Sequence, residues 1–204
     1  MHRFFAFVRL SRPSFLAGGF LLYAIGVLLS LRHGADVDWA AYAAGQVAVT
    51  AAQLMTHYLN ELADVETDVL NRHRTSFSGG SAVLADGVLP PRTAVLAAGV
   101  ACAVSVVAAA LGILWTGAWA AAAVYALMWA GAWSYSARPL SMAGSGFGEL
   151  TAALVVALAV PSLGYALQTG GWSTDVLLVA APLVALCWAM IVAFELPDFE
   201  ADRA

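Results

Sequence analysis

Lysine is absent from this 204-residue chain, so nine arginines carry all of its permanent positive charge. Charged residues make up only 11% of it, which excludes an ordinary soluble domain, where about a quarter are charged. There are two cysteines, Cys102 and Cys187, each in the middle of an apolar run. That excludes a disulfide-built scaffold, and both read as small packing residues. The alternation of apolar and polar residues that marks a membrane barrel strand is missing as well. What the chain does have is hydrophobic residues at 62% and a mean hydropathy of +0.81. Crossing a hydrocarbon core takes about 20 apolar residues as a helix. Six segments meet that length, at residues 15–31, 39–59, 93–115, 118–136, 150–168 and 176–194. The bilayer forces backbone polar groups to bond within the segment, so these runs are expected to be helices. The expected fold is an all-α polytopic membrane protein, a bundle of about six transmembrane helices in one domain over 1–204. The first run is too long for a cleavable signal.

Orientation follows from the arginines. With the N-terminus in the cytoplasm, inner segments hold Arg3, Arg9, Arg12, Arg72, Arg74, Arg92, Arg138 and Arg203, and outer ones hold only Arg32. That bias obeys the positive-inside rule, which largely ignores acids and so is unaffected by the formal net charge of −4. The expected location is the cell membrane, as a multi-pass protein. The inner connection from Asn60 to Arg92 is the longest and most polar. Long loops of this kind are often functional.

Eight of the thirteen carboxylates fall in two clusters on that inner side. One follows the second run and contains Asn60, Glu61, Asp64, Glu66 and Asp68. The other follows the sixth and contains Glu195, Asp198, Glu200 and Asp202, with Pro197 breaking the helix before it. Asn60, Asp64 and Asp68 are spaced i, i+4, i+8, which sets them along one stripe of a helix, and Asp198 and Asp202 repeat the interval. Carboxylates so spaced repel, and more strongly near hydrocarbon. Mg²⁺ relieves the repulsion, because it takes oxygen ligands and typically binds one or two carboxylates plus substrate phosphates. The four aspartates, Asp64, Asp68, Asp198 and Asp202, are read as metal ligands. Glu61, Glu66 and Glu200 read at least equally well as hydrated helix ends. Arg72, Arg74 and Arg138 are read as diphosphate contacts in preference to purely topogenic charge, since guanidinium bonds phosphate bidentately. Arg3, Arg9 and Arg12 are assigned to topology alone. The stretch Ser78-Gly79-Gly80-Ser81 could offer backbone N–H groups to an anion.

These motifs resemble those of the UbiA family of membrane prenyltransferases. The family's first motif, N-D-x-x-D-x-x-x-D, is matched by Asn60, Asp64 and Asp68, and its D-x-x-x-D motif by Asp198 and Asp202. Also similar are Arg74-Thr75-Ser76-Phe77-Ser78-Gly79-Gly80-Ser81, Tyr135-Ser136-Ala137-Arg138-Pro139 and Gly146-Phe147-Gly148-Glu149. The last two look most like the branch acting on 1,4-dihydroxy-2-naphthoate and other quinone precursors. Glu61 stands where the family usually has Asp, and Phe194 stands where some relatives have Asn. The family typically has nine helices, so the resemblance implies that three C-terminal helices are missing and that the domain is incomplete.

The resemblance implies transfer of a prenyl group from an isoprenoid diphosphate to an aromatic or quinone-precursor acceptor within the lipid bilayer. Mg²⁺ would be the cofactor, held by Asn60, Asp64, Asp68, Asp198 and Asp202, and no nucleic acid is expected as a partner. Arg72, Arg74, Ser78, Tyr135 and Arg138 would bind substrate, Tyr135 being singled out as the neighbour of Arg138 in a matched motif. His57 is read as a packed interior histidine ahead of a ligand-orienting one. For Glu149, helix-end solvation and acceptor chemistry stand level. A cation-binding membrane transporter and an inactive truncated membrane subunit are the alternatives. Transport sites tend to lie near mid-bilayer at broken helices, whereas these acids cluster at helix ends.

Overall fold

Local chemistry sets the helix boundaries. Proline at N1 is pre-set for helix and forfeits an N–H that would have had no partner there. It opens α2 (Pro13–Arg32) and α5 (Pro91–Thr116). Asp38 caps α3 (Trp39–Ala63), its Oδ1 accepting the Ala40 and Ala41 N–H groups at 2.9 and 3.0 Å. Gly117, at φ 67°, ends α5 in the left-handed conformation that glycine adopts without strain. The computed structural model describes residues 2–70, 80–137 and 139–195. Among these there are helices and turns but no strand. The remaining elements are α1 (His2–Leu10), α4 (Val65–Leu70), α6 (Trp119–Ser136), α7 (Gly148–Leu154), α8 (Val160–Thr169) and α9 (Thr174–Glu195). A π-helical turn, Val155–Ala159, joins α7 to α8, so Gly148–Thr169 runs as one continuous rod.

All six expected helices form, and four are long and apolar enough to cross a membrane: Pro13–Arg32, Pro91–Thr116, Gly148–Thr169 and Thr174–Phe194. The other two, α3 and α6, are less apolar and are not among these four. α6 is rich in Trp, Tyr and Ser, while α3 carries Gln46, Thr50, Gln53, Thr56, His57 and Asn60. α3 can hold this polarity because it is the central helix: it packs most extensively on α5 and also meets α2, α6 and α8.

Small residues bring the helices close, the usual arrangement where lipid leaves no hydrophobic force between them. A Cβ on Gly26 of α2 would collide with the Pro161 carbonyl of α8, and one on Gly164 would lie 2.5 Å from the Tyr23 carbonyl oxygen. Tyr23, Val49, Met128, Leu163 and Leu167 fill the main core. Leu21, Leu96, Leu114, Leu178 and Leu186 point outward, each more than 60% exposed, as lipid-facing side chains must.

The two ends of the bundle differ in chemistry. At one end, Gln168 holds Asp38 through its backbone N–H (2.8 Å) and carbonyl (3.2 Å), and the Trp115 indole donates to Asp38 Oδ2 at 2.9 Å. His33 joins Tyr165 and Asp175 there, each at 2.9 Å. Exposed Trp39, Trp115, Trp119 and Trp172 gather at this end, as tryptophans do at a membrane interface. The opposite end carries Arg9, Arg12, Arg92 and the acids of α3 and α4. It also carries α1, which buries Leu10 and leaves Phe4 and Phe5 exposed, in the manner of an interfacial helix.

Candidate active site

The acidic end of α3 is built from contacts that reach across the bundle. The helix is interrupted at Asp64 (φ −96°, ψ 5°) before α4 begins, so the expected unbroken stripe is in fact two helices. The backbone bonds nevertheless continue through the break. Asp64 N–H donates to the Asn60 carbonyl at 3.0 Å, and Asp68 N–H donates to the Asp64 carbonyl at 2.8 Å. Asn60 Nδ2 donates to Asp64 Oδ2 at 2.6 Å, and Asn60 Oδ1 accepts from Ser136 Oγ at 3.2 Å. The carboxamide therefore fixes the Asp64 carboxylate and ties it to the last turn of α6. Tyr135 sits in that same turn, half-buried. Asp68 is buried against Gly80, where any Cβ would overlap its carboxylate.

Glu61 is not a hydrated helix end. It is 2% exposed, and both carboxylate oxygens accept from Ser81, Oε1 from the N–H and Oε2 from the hydroxyl, each at 2.6 Å. The anion that meets this part of the Gly-Ser stretch is thus the chain's own carboxylate. Ser81 Oγ in turn accepts the Val83 N–H at 3.2 Å, and Ala82 between them is held at φ 62°. A non-glycine residue there carries about 1–2 kcal/mol of strain, offset by the charge-assisted bonds beside it. Glu66 is exposed, in keeping with a hydrated position.

Arg12 has more than a topogenic role. It lies between α1 and α2 at φ 48°, with Nε 3.9 Å from Glu61 Oε1 and its guanidinium 5.0 Å from the Phe15 ring centroid. Nothing in the local sequence marks it, because its partner lies 49 positions away. His57 is the packed histidine expected, its Nδ1 donating to the Ser11 carbonyl at 3.1 Å. Glu149 lies half-buried in the first turn of α7.

The tip of α9 comes to the same place. Phe15 stands edge-on to His57 at 6.1 Å and to Phe194 at 6.2 Å between ring centres. Phe194 is in the last turn of α9, so this aromatic file links the ends of α3 and α9 through α2. Asp198 and Asp202 lie outside the described residues, as do Arg72, Arg74, Ser78, Arg138 and Glu200. Among the described residues no group of three or more His, Cys, Asp or Glu is placed to hold a metal. Asp64, Asp68 and Asn60 present only oxygen donors, a set that fits a hard divalent cation and not a soft one.

Comparison with curated proteins and with solved structures gives no significant match. The model of the UbiA prenyltransferase family matches residues 16–204, from the first turn of α2 through both acidic motifs. With nearly the whole chain matched, this polytopic helical protein belongs to the UbiA prenyltransferase family.

Proposed function

We propose that the chain transfers a prenyl group from an isoprenoid diphosphate to an aromatic or quinone-precursor acceptor, with the 1,4-dihydroxy-2-naphthoate type preferred. The observation that carries this reading is that Phe15 of α2 bridges the tips of α3 and α9 at one end of the bundle. It touches His57, three residues before the first aspartate motif, and Phe194, four residues before the second in sequence. In the cell membrane that end faces the cytoplasm, in accordance with its arginines.

Asp64 and Asp68, with Asp198, Asp202 and Asn60, would hold Mg²⁺ against the substrate diphosphate. Bound there, the ion would supply positive charge where the leaving diphosphate develops negative charge. Asn60 keeps one Asp64 oxygen turned toward itself, which pre-sets the carboxylate before substrate arrives. Arg72, Arg74, Ser78 and Arg138 would bind the phosphate oxygens, because a preorganised donor set stabilises a leaving anion more than water does. The allylic C–O bond breaks, with both electrons leaving on the diphosphate oxygen. The electron-rich acceptor carbon then forms the new C–C bond and loses its proton. Tyr135 would border the cation, and its ring face suits positive charge.

Asp64→Asn and Asp68→Asn should each lower kcat about 10²- to 10³-fold in a Mg²⁺-supplemented assay, while helix content by circular dichroism stays as in the wild type. Removal of Mg²⁺ with EDTA should abolish turnover and its return should restore it. Wild-type rates in both variants would refute the metal assignment.

A further inference from the structure

Polar side chains on α3 extend well beyond the acidic tip. At 3.6 residues per turn, Gln46, Thr50, Gln53, His57, Asn60 and Asp64 share one face over about 27 Å. Gln53 rests against Gly19 of α2, and the Asn60 side of the stripe meets α6 through Ser136, so this face looks into the bundle between those helices. Gln46 is 6% exposed, yet its Oε1 has no hydrogen-bond partner, and its Nε2 donates only to Thr50 of the same helix at 3.1 Å. Gln53 Oε1 is likewise buried with no partner. A glutamine retained in a membrane helix to join neighbours would bond across the interface. These two do not, and a buried amide left unpaired is costly. The diphosphate chemistry does not use them either.

We infer that Gln53 forms a second polar subsite, one that hydrogen-bonds a hydroxyl of the aromatic acceptor and sets its position, with Gln46 continuing the polar face deeper in. This rests on the prenyl-transfer reading. A carboxamide offers both a donor and an acceptor, as a phenolic hydroxyl does. Gln53 lies seven residues from Asn60, about 10 Å along the helix axis. That separation is of the order spanned by an acceptor ring hydrogen-bonded to the amide through one hydroxyl, with the diphosphate between its reactive carbon and the Asn60 end. Gly19 is part of the device, since a Cβ there would occupy the position of the Gln53 amide.

Binding of two probes to the purified full chain in nanodiscs, by calorimetry, tests the assignment: 1,4-dihydroxy-2-naphthoate, and farnesyl diphosphate with Mg²⁺. Gln53→Leu should raise the naphthoate Kd about tenfold, the loss of one well-made hydrogen bond, and change the farnesyl diphosphate Kd less than twofold. Gly19→Ala keeps Gln53 but displaces its amide, and should move naphthoate affinity in the same direction. It also guards against a Gln53→Leu chain that does not fold. Unchanged naphthoate affinity in both variants overturns the subsite, as does equal weakening of both probes or failure of naphthoate to bind the wild type. If naphthoate binds through Gln53 but farnesyl diphosphate does not bind at all, the subsite stands and the prenyl-transfer reading fails.

Discussion

Glu61 shows how one buried carboxylate can organise a loop. It neutralises the N–H and hydroxyl of Ser81, braces a strained Ala82 and faces Arg12. Glu61→Ala leaves both Ser81 donors buried without an acceptor, and should cost about 2–3 kcal/mol in detergent unfolding; Ser81→Ala, which keeps the backbone bond, should cost about 1 kcal/mol. Equal effects would mean that the backbone bond contributes nothing. Asp38 anchors the opposite end. Its carboxyl is held below the usual carboxylate range, chiefly by the Ala41 N–H and then by the Trp115 indole. A group with a folded-state pKa below its unfolded one adds stability above the unfolded value, and that stability is lost as pH falls through the folded one. Asp38→Ala should therefore melt below the wild type at neutral pH, and the gap should narrow as pH drops below about 4, the ordinary aspartate value. A gap constant across that range would remove the charged cap as the cause.

Helix pairing in this bundle depends on a few positions without a side chain. Gly26 and Gly164 let the α2 and α8 backbones touch, and a Cβ at either meets backbone atoms, which cannot rotate away. Gly26→Ala should destabilise the protein by about 1–3 kcal/mol, read as a lower melting temperature, whereas Gly18→Ala, where nothing lies near the added atom, should be close to neutral. Residues 150–168 were expected as a single helix, and a π turn at Val155–Ala159 lies within it. Hydrophobic periodicity does not reveal that turn, since one extra backbone residue leaves an all-apolar run all-apolar. It adjoins α9, and the Val155 side chain fills the space left by Gly131 on α6. The helix α1 also lay hidden in the sequence, being shorter than any spanning segment.

Across the whole bundle, Arg9, Arg12, Arg92 and the acids of α3 and α4 lie at one end, and exposed Trp39, Trp115, Trp119 and Trp172 lie at the other with Arg32, Asp36, Asp38 and Asp175. If the first of these ends faces the cytoplasm, a membrane-impermeant maleimide applied to intact cells should label Asp36→Cys and spare Asp86→Cys, with Cys102 and Cys187 first replaced by alanine. Asp36 and Asp86 are both exposed, on the Arg32 side and the Glu61 side respectively. Labelling of Asp86→Cys alone would invert the orientation.

The helical class and the apolar spans were legible residue by residue, because lipid imposes a length and a composition on each segment, and the two aspartate motifs were legible as a family pattern. Glu61 was not legible. Its sequence neighbours are acidic and polar, and only the return of Ser81 from 20 positions away turns a hydrated end into a buried anchor. The pairing of Arg12 with Glu61 and the aromatic file from His57 through Phe15 to Phe194 are of the same kind. Periodicity states which face of a helix is polar, but which neighbour covers that face depends on how the helices pack, and the folded bundle alone decides it.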